Sequence, residues 1–174
     1  MGRLEFRTLP VPAFDEHTIR VSAGAVTFGV EYRHLDEAAI LAFYGPDSRA
    51  KFDNKMPAGM SEVVEEDGLA LHVFDTATGD ELLRFDCFEE AAHWHLLSAP
   101  ASRNIVVDHD VGVDGPLVDW ALAAMRRDLR TLLREAEASD VAGALDDERL
   151  APALETVAQA ARYVIAAGRP VRVD

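Results

Sequence analysis

Two histidines one residue apart, His93 and His95 in LRFDCFEEAAHWHLL (residues 83–97), have the spacing in this chain that most directly suggests chemistry. Side chains alternate across a strand, so on an extended segment both imidazoles leave the same face, about 7 Å apart at the backbone. They can then converge on one cation. A divalent metal such as Zn²⁺ takes three or four N, S or O ligands, and Asp86, Asp108, His109 and Asp110 are candidates to complete the set. The metal set favoured by the spacing is Asp86, His93 and His95, and the same three are the candidate catalytic residues of a metal-assisted hydrolase, with Asp86 or Asp108 as base. Arg84, Asp108 and His109 are the candidate ligand-binding residues. Set against this, an H-x-H pair also suits the wetter face of an ordinary strand, and neither H-E-x-x-H nor a paired cysteine set occurs.

Other polar features have plainer readings. Alternation puts Arg84 and Asp86 on one face of their strand and Leu83, Phe85 and Cys87 on the other, so the lone cysteine is expected in the core as a small hydrophobe. A nucleophile pair of Cys87 with His93 or His95 has no activating arrangement in the sequence. Arg126, Arg130 and Arg134, with Arg127 beside them, form a cationic helical stripe that reads as a solvated face paired with Asp and Glu. Trp94, opposite the histidine face, and Trp120 are expected packing anchors.

These residues are positioned by a predicted series of strands followed by helices. RLEFRTL is a strand, and HTIRVSAGAVTFGVEYR is a half-buried hairpin broken at Gly24, with Val26, Phe28, Val30 and Tyr32 on one face and Gly29 read as a bulge. A short helix capped near Asp36 ends at Gly45-Pro46, and a long connection over 45–68 follows, its acidic run Glu62, Glu65, Glu66 and Asp67 read as solvated. GLALHVFD and ELLRFDCF flank a turn containing Gly79, and AHWHLL and RNIVVDHD continue the meander. Pro116 is predicted at the first position of a helix capped by Asp114 or Gly115, with Val118, Leu122, Met125, Leu129, Leu132, Leu133 and Ala136 inward. A second helix follows DDER, with Leu154, Val157, Ala158, Ala161, Val164 and Ile165 inward and Gly168 and Pro170 as stops. The fold class expected is α+β: an antiparallel sheet of about six or seven strands with two long C-terminal helices on one face, as one domain over 1–174.

Composition narrows the partners. The chain of 174 residues is 49% apolar and 28% charged, the balance of a folding globular protein. A formal charge of −14 repels phosphate backbones and anionic lipid, so neither nucleic acid nor membrane is expected. One cysteine makes no internal disulfide, and the N-terminus lacks an apolar signal run, so a cytoplasmic location is expected. The Ala-rich segment APALETVAQAARYVIAAG is apolar over much of its circumference, which suits a helix buried on two sides or in a homodimer interface, and a protein partner or homodimer is expected.

The stretch HVFDTATGDELLRFDCFEEAAHWHLL resembles a family of bacterial domains of unknown function whose hairpin reads L-R-F-D-C-F and then P-H-Y-H-Y. Leu83 to Phe88, His93 and His95 match, Ala92 and Leu96 depart from the pattern, and Asp119-Trp120 also looks like the family; the likeness covers residues 69–125. More distantly, RFD followed by HWH is similar to small toxins of toxin–antitoxin pairs. The closer resemblance implies the hairpin and the grouping of Asp86, His93 and His95, and implies no reaction. Two functions therefore compete: an interaction or small-ligand-binding module, preferred because no catalytic signature is present, and a metal-binding protein or metal-assisted hydrolase built on His93 and His95.

Overall fold

The computed structural model describes residues 2–45, 66–89 and 91–173. Seven strands form one antiparallel sheet: β1 Arg3–Phe6, β2 Thr18–Ala23, β3 Val26–Leu35, β4 Glu66–Asp75, β5 Glu81–Phe88, β6 His93–Ser98 and β7 Arg103–Asp108. Among the described residues five α-helices accompany them: α1 Glu37–Tyr44, α2 Val111–Asp114, α3 Leu117–Glu135, α4 Ser139–Gly143 and α5 Asp147–Ala167. The expected α+β fold, with its antiparallel sheet and two long C-terminal helices, is the fold observed.

The hairpins form where the turn chemistry requires them. Gly24 and Gly79 take positive φ, +76° and +80°, between β2 and β3 and between β4 and β5, a conformation that costs glycine little. Asp36 caps α1 by accepting from the Ala39 N–H, and Gly45 ends it. Most of the connection predicted over 45–68, with Glu62 and Glu65 of its acidic run, lies outside the described residues.

One face of the sheet is apolar. Phe28 and Val30 from β3, Leu71 and Val73 from β4, Leu83 and Phe85 from β5, Trp94 and Leu96 from β6, and Ile105 and Val107 from β7 are all buried against α3 and α5. From α3 come Leu117, Ala121, Ala124, Met125, Leu129, Leu132 and Leu133, so the expected stripe holds from Met125 onward, while Val118 and Leu122 sit at its margin. Pro116 caps α3 from just outside rather than occupying its first turn. In α5 the buried set is Leu150, Ala153, Leu154, Val157, Ala158, Ala161 and Val164. Ile165, expected inward, is 50% exposed, because it lies one residue round the helix from Val164. Gly29 is not a bulge: it pairs regularly with Arg20, and a Cβ there would come within 2.9 Å of both Phe74 and Thr18, so close packing is what favours glycine. The irregularity falls instead between Val73 and Phe74 on β4.

Strand order is β1-β7-β6-β5-β4-β3-β2, which puts the first two strands of the chain at opposite edges. Residues 7–17 must therefore cross about six strand spacings, on the order of 29 Å, a span they reach only when largely extended. Pro10 and Pro12 suit that extended conformation and lack the N–H a further strand would need. The Thr8, Val11 and Pro12 carbonyls accept from Asn104 and Arg33, and the Phe14 N–H donates to Glu31, so this strap runs across the sheet face opposite the long helices. A face predicted to be half-solvated is thus buried.

Candidate metal site

Strand register assembles the polar residues of the second face in rows. One row runs Glu31, Ala70, Asp86, His93, Asp108 across β3 to β7, and the next runs Gly29, His72, Arg84, His95, Val106. Asp86 therefore stands directly opposite His93, and diagonally across from His95. Asp86 and His95 are buried and His93 retains 15% side-chain exposure, so the cluster reaches solvent on the His93 side.

The three side chains converge. His95 Nε2 lies 3.0 Å and His93 Nε2 3.4 Å from the same oxygen, Asp86 Oδ2. One ligand atom from each of the three falls within 4.8 Å of the others, and the two imidazole rings meet edge-on at 4.9 Å. Asp86 Oδ1 is buried with no hydrogen-bond partner among the described residues.

The outer nitrogens fix what faces inward. Asn104 Nδ2 is directed at the Thr8 carbonyl, 3.4 Å away, which can only accept; Asn104 Oδ1 therefore faces His95 Nδ1 at 2.8 Å. An amide oxygen also only accepts, so Nδ1 of His95 carries the hydrogen and Nε2 of the neutral ring presents a lone pair to Asp86. His93 repeats the arrangement, with Nδ1 at 2.7 Å from the Ala91 carbonyl and Nε2 inward. Three electron-rich atoms thus surround one point, an arrangement that requires a cation or protons between them. Imidazoles oriented through Nδ1–H by an amide or backbone carbonyl are the usual support of metal ligands.

The electrostatics keep the carboxylate of the cluster ionised. Burial holds the His95 imidazole below its ordinary pKa, and the neighbouring His93 adds to this against the pull of Asp86. Burial alone would raise Asp86, but its close contact with His95, the charge of Arg84 and the neighbouring His93 hold it well below the usual carboxylate range. The site sets an ionised carboxylate beside two imidazoles, an O and N donor set that suits Zn²⁺ and other first-row divalent ions.

Beside this cluster lies a second buried network absent from the sequence reading. His72 bridges two carboxylates, Nδ1 to Glu81 Oε1 at 2.6 Å and Nε2 to Glu31 Oε2 at 3.1 Å. Arg84 grips Glu81 with two parallel bonds, Nε to Oε1 at 2.8 Å and Nη2 to Oε2 at 2.6 Å. Arg33 lies 3.3 Å from Glu31 and donates to the strap carbonyls of Val11 and Pro12. With both ring nitrogens facing carboxylates, His72 is an imidazolium; burial opposes that charge, and Glu81 and Glu31 more than offset it, raising the pKa. Burial would likewise raise Glu81 and Glu31, yet Arg84 and His72 hold Glu81 low, and His72 and Arg33 hold Glu31 low. The signal was legible in principle: Glu31, His72 and Arg84 all fall on the non-core phase of their strands.

The remaining sequence candidates go elsewhere. Asp108 is in register with His93, but its carboxylate lies against β1, where a Cβ on Gly2 would come within 2.5 Å of it. His109 turns to the helix side, its ring 5.6 Å from Trp120 and Nε2 at 2.8 Å from the Gly115 carbonyl. Asp110 caps α2, accepting from the Gly112 and Val113 N–H groups. Arg84 is committed to Glu81. Cys87 sits on the helix side as its alternation requires, its thiol pushed well up by burial, so no nucleophile pair with His93 or His95 forms. Three arginines of the cationic stripe are paired with acids: Arg126 with Glu155, Arg127 with Asp128 and Arg130 with Asp147. Among the described residues no helix is long and apolar enough to cross a membrane.

Comparison with known proteins places this geometry in a family context. Neither the curated proteins nor the solved structures give a match. A profile for a domain of unknown function matches residues 20–161, a longer stretch than the resemblance over 69–125 and one that takes in β3 to β7 whole and most of β2. The chain belongs to the DUF7700 family of domains of unknown function.

Proposed function

We propose that the protein binds one divalent cation through Asp86 Oδ2, His93 Nε2 and His95 Nε2, and that it uses the coordination positions these leave open to hold a small oxygen-donor ligand. The observation that carries this is the shared oxygen: two imidazoles, each oriented through Nδ1 by an acceptor, aim their Nε2 atoms at one buried carboxylate oxygen. Zinc fits the donor set. This reading is preferred to a hydrolase because Asp108, one of the two bases considered, is drawn away to Gly2, and Asp86, the other, is taken as a ligand.

Calorimetric titration of chelator-treated protein with zinc tests it. One equivalent is expected to bind to the wild type and to bind far more weakly to His93→Ala and His95→Ala. Wild-type protein that takes up no zinc, manganese, cobalt or ferrous iron would remove the proposal.

A second reading, association through α5, is favoured by one observation: Tyr163 and Ile165 are 59% and 50% exposed on that helix. Light scattering at tens of micromolar checks it, and a strict monomer would rule out a homodimer there.

A further inference from the structure

We propose that Asn104 is a positioning residue that couples cation binding at Asp86, His93 and His95 to the seating of the N-terminal strap, residues 7–14; this rests on the metal reading above. Among the described residues, Asn104 is the side chain whose hydrogen bonds join a site imidazole to the strap backbone: Oδ1 faces His95 Nδ1 at 2.8 Å and Nδ2 faces the Thr8 carbonyl at 3.4 Å. An amide has one accepting end and one donating end. Which end meets the strap is therefore decided by which end meets His95.

That choice follows the tautomer of His95. A cation on Nε2 requires the hydrogen on Nδ1. Asn104 must then offer Oδ1 to the ring, and Nδ2 is left to donate to Thr8. Without the cation, the neutral ring gains a hydrogen bond by moving its hydrogen to Nε2, where Asp86 Oδ2 lies 3.0 Å away. Nδ1 then becomes an acceptor, Asn104 turns its amide to donate to it, and Oδ1 faces the Thr8 carbonyl, two acceptors opposed. The strap loses an anchor at its β7 end while Arg33 and Glu31 hold Val11, Pro12 and Phe14 at the other. Two discrete arrangements exist, and the cation selects one of them. By linkage, a strap held down also strengthens cation binding.

Hydrogen exchange of the full chain, read by mass spectrometry on peptides covering Thr8 to Phe14 with chelator and with saturating zinc, tests this. Wild-type exchange in the strap is expected to slow by at least about five-fold with zinc, the lower end of usual coupling between sites. Asn104→Leu removes both bonds and should weaken zinc binding about 10- to 100-fold, as loss of a ligand's outer partner does. Asn104→Asp keeps an acceptor for His95 but has no donor for Thr8, so it should restore zinc affinity and still show no zinc-dependent protection of the strap. That split separates positioning from a general loss of structure, and the wild-type comparison depends on no variant. Zinc binding with unchanged strap exchange, or full protection in Asn104→Asp, overturns this inference alone; no zinc binding at all overturns the metal reading and this inference with it.

Discussion

Asp86 and His95 meet at 3.0 Å, Oδ2 to Nε2, both buried, and each is held from behind: His95 by Asn104, and Asp86 by its place on β5 opposite His93. A carboxylate and an imidazole lone pair at that distance repel unless a positive centre joins them. The centre could be a proton or a metal ion, and the two differ in what an amide at position 86 does.

Asp86→Asn removes the charge and keeps the shape. Its new N–H can donate to the His95 Nε2 lone pair, so the metal-free fold should lose only about 1–2 kcal/mol. Zinc affinity should fall by more than the roughly 100-fold that marks loss of an outer partner. Melting in chelator and calorimetry with zinc measure the two effects separately, and a variant that binds zinc like the wild type would contradict the assignment.

His72 predicts a second, metal-independent pH dependence. Its pKa is raised in the folded state, so the stability it contributes is complete below the unfolded imidazole value of about 6.5 and is lost as pH rises through the folded value. Removing it leaves Glu31 and Glu81 buried without their shared cation, which costs about 3–5 kcal/mol. In chelator, the denaturant-measured stability gap between wild type and His72→Gln should be widest near neutral pH or slightly below and should narrow toward high pH. A gap that stays constant would mean His72 is not charged. At the acid end the depressed carboxyls of Glu31, Glu81 and Asp86 act in the opposite sense: their contribution is present above about pH 4 and is lost as pH falls below it.

Gly29 separates packing from site chemistry. A methyl group there meets Phe74 and Thr18 at 2.9 Å and the Cβ of His72 at 3.2 Å, so Gly29→Ala should destabilise by about 1–3 kcal/mol. Thermal melting reads the loss directly. An unchanged or raised melting temperature would show that the β3–β4 surface yields more easily than its packing implies.

Much of this arrangement was visible in the residues before any coordinates. The H-x-H spacing, the alternation placing Asp86 with Arg84 and Cys87 with the core, and the turn glycines Gly24 and Gly79 each rest on local backbone geometry, and each holds. What failed or went unseen depends on distant pairing. Nothing local says that β1 pairs with β7, yet that pairing sends residues 7–17 across the sheet and buries Glu31, His72 and Arg84. Asn104 carries no motif, and its role appears only when register brings it beside His95. Asp108 and His109 were reasonable ligands by proximity in sequence, but the strand ends there, and the two side chains turn to β1 and to Trp120.

Cys87→Ala checks the two faces against each other. The thiol lies on the helix side, partly buried and with a raised pKa, so the variant should bind zinc as the wild type does, and the wild-type thiol should react slowly with iodoacetamide near neutral pH. Zinc affinity that depends on Cys87 would mean the sheet faces are wrongly assigned.

The most direct measurement is anomalous diffraction at the zinc edge from crystals of the zinc-loaded protein. One strong peak is expected, bounded by Asp86, His93 and His95, with His93 Nε2 and His95 Nε2 each about 2.0–2.1 Å from it. A peak on other residues, or none there at full zinc occupancy in solution, would contradict it.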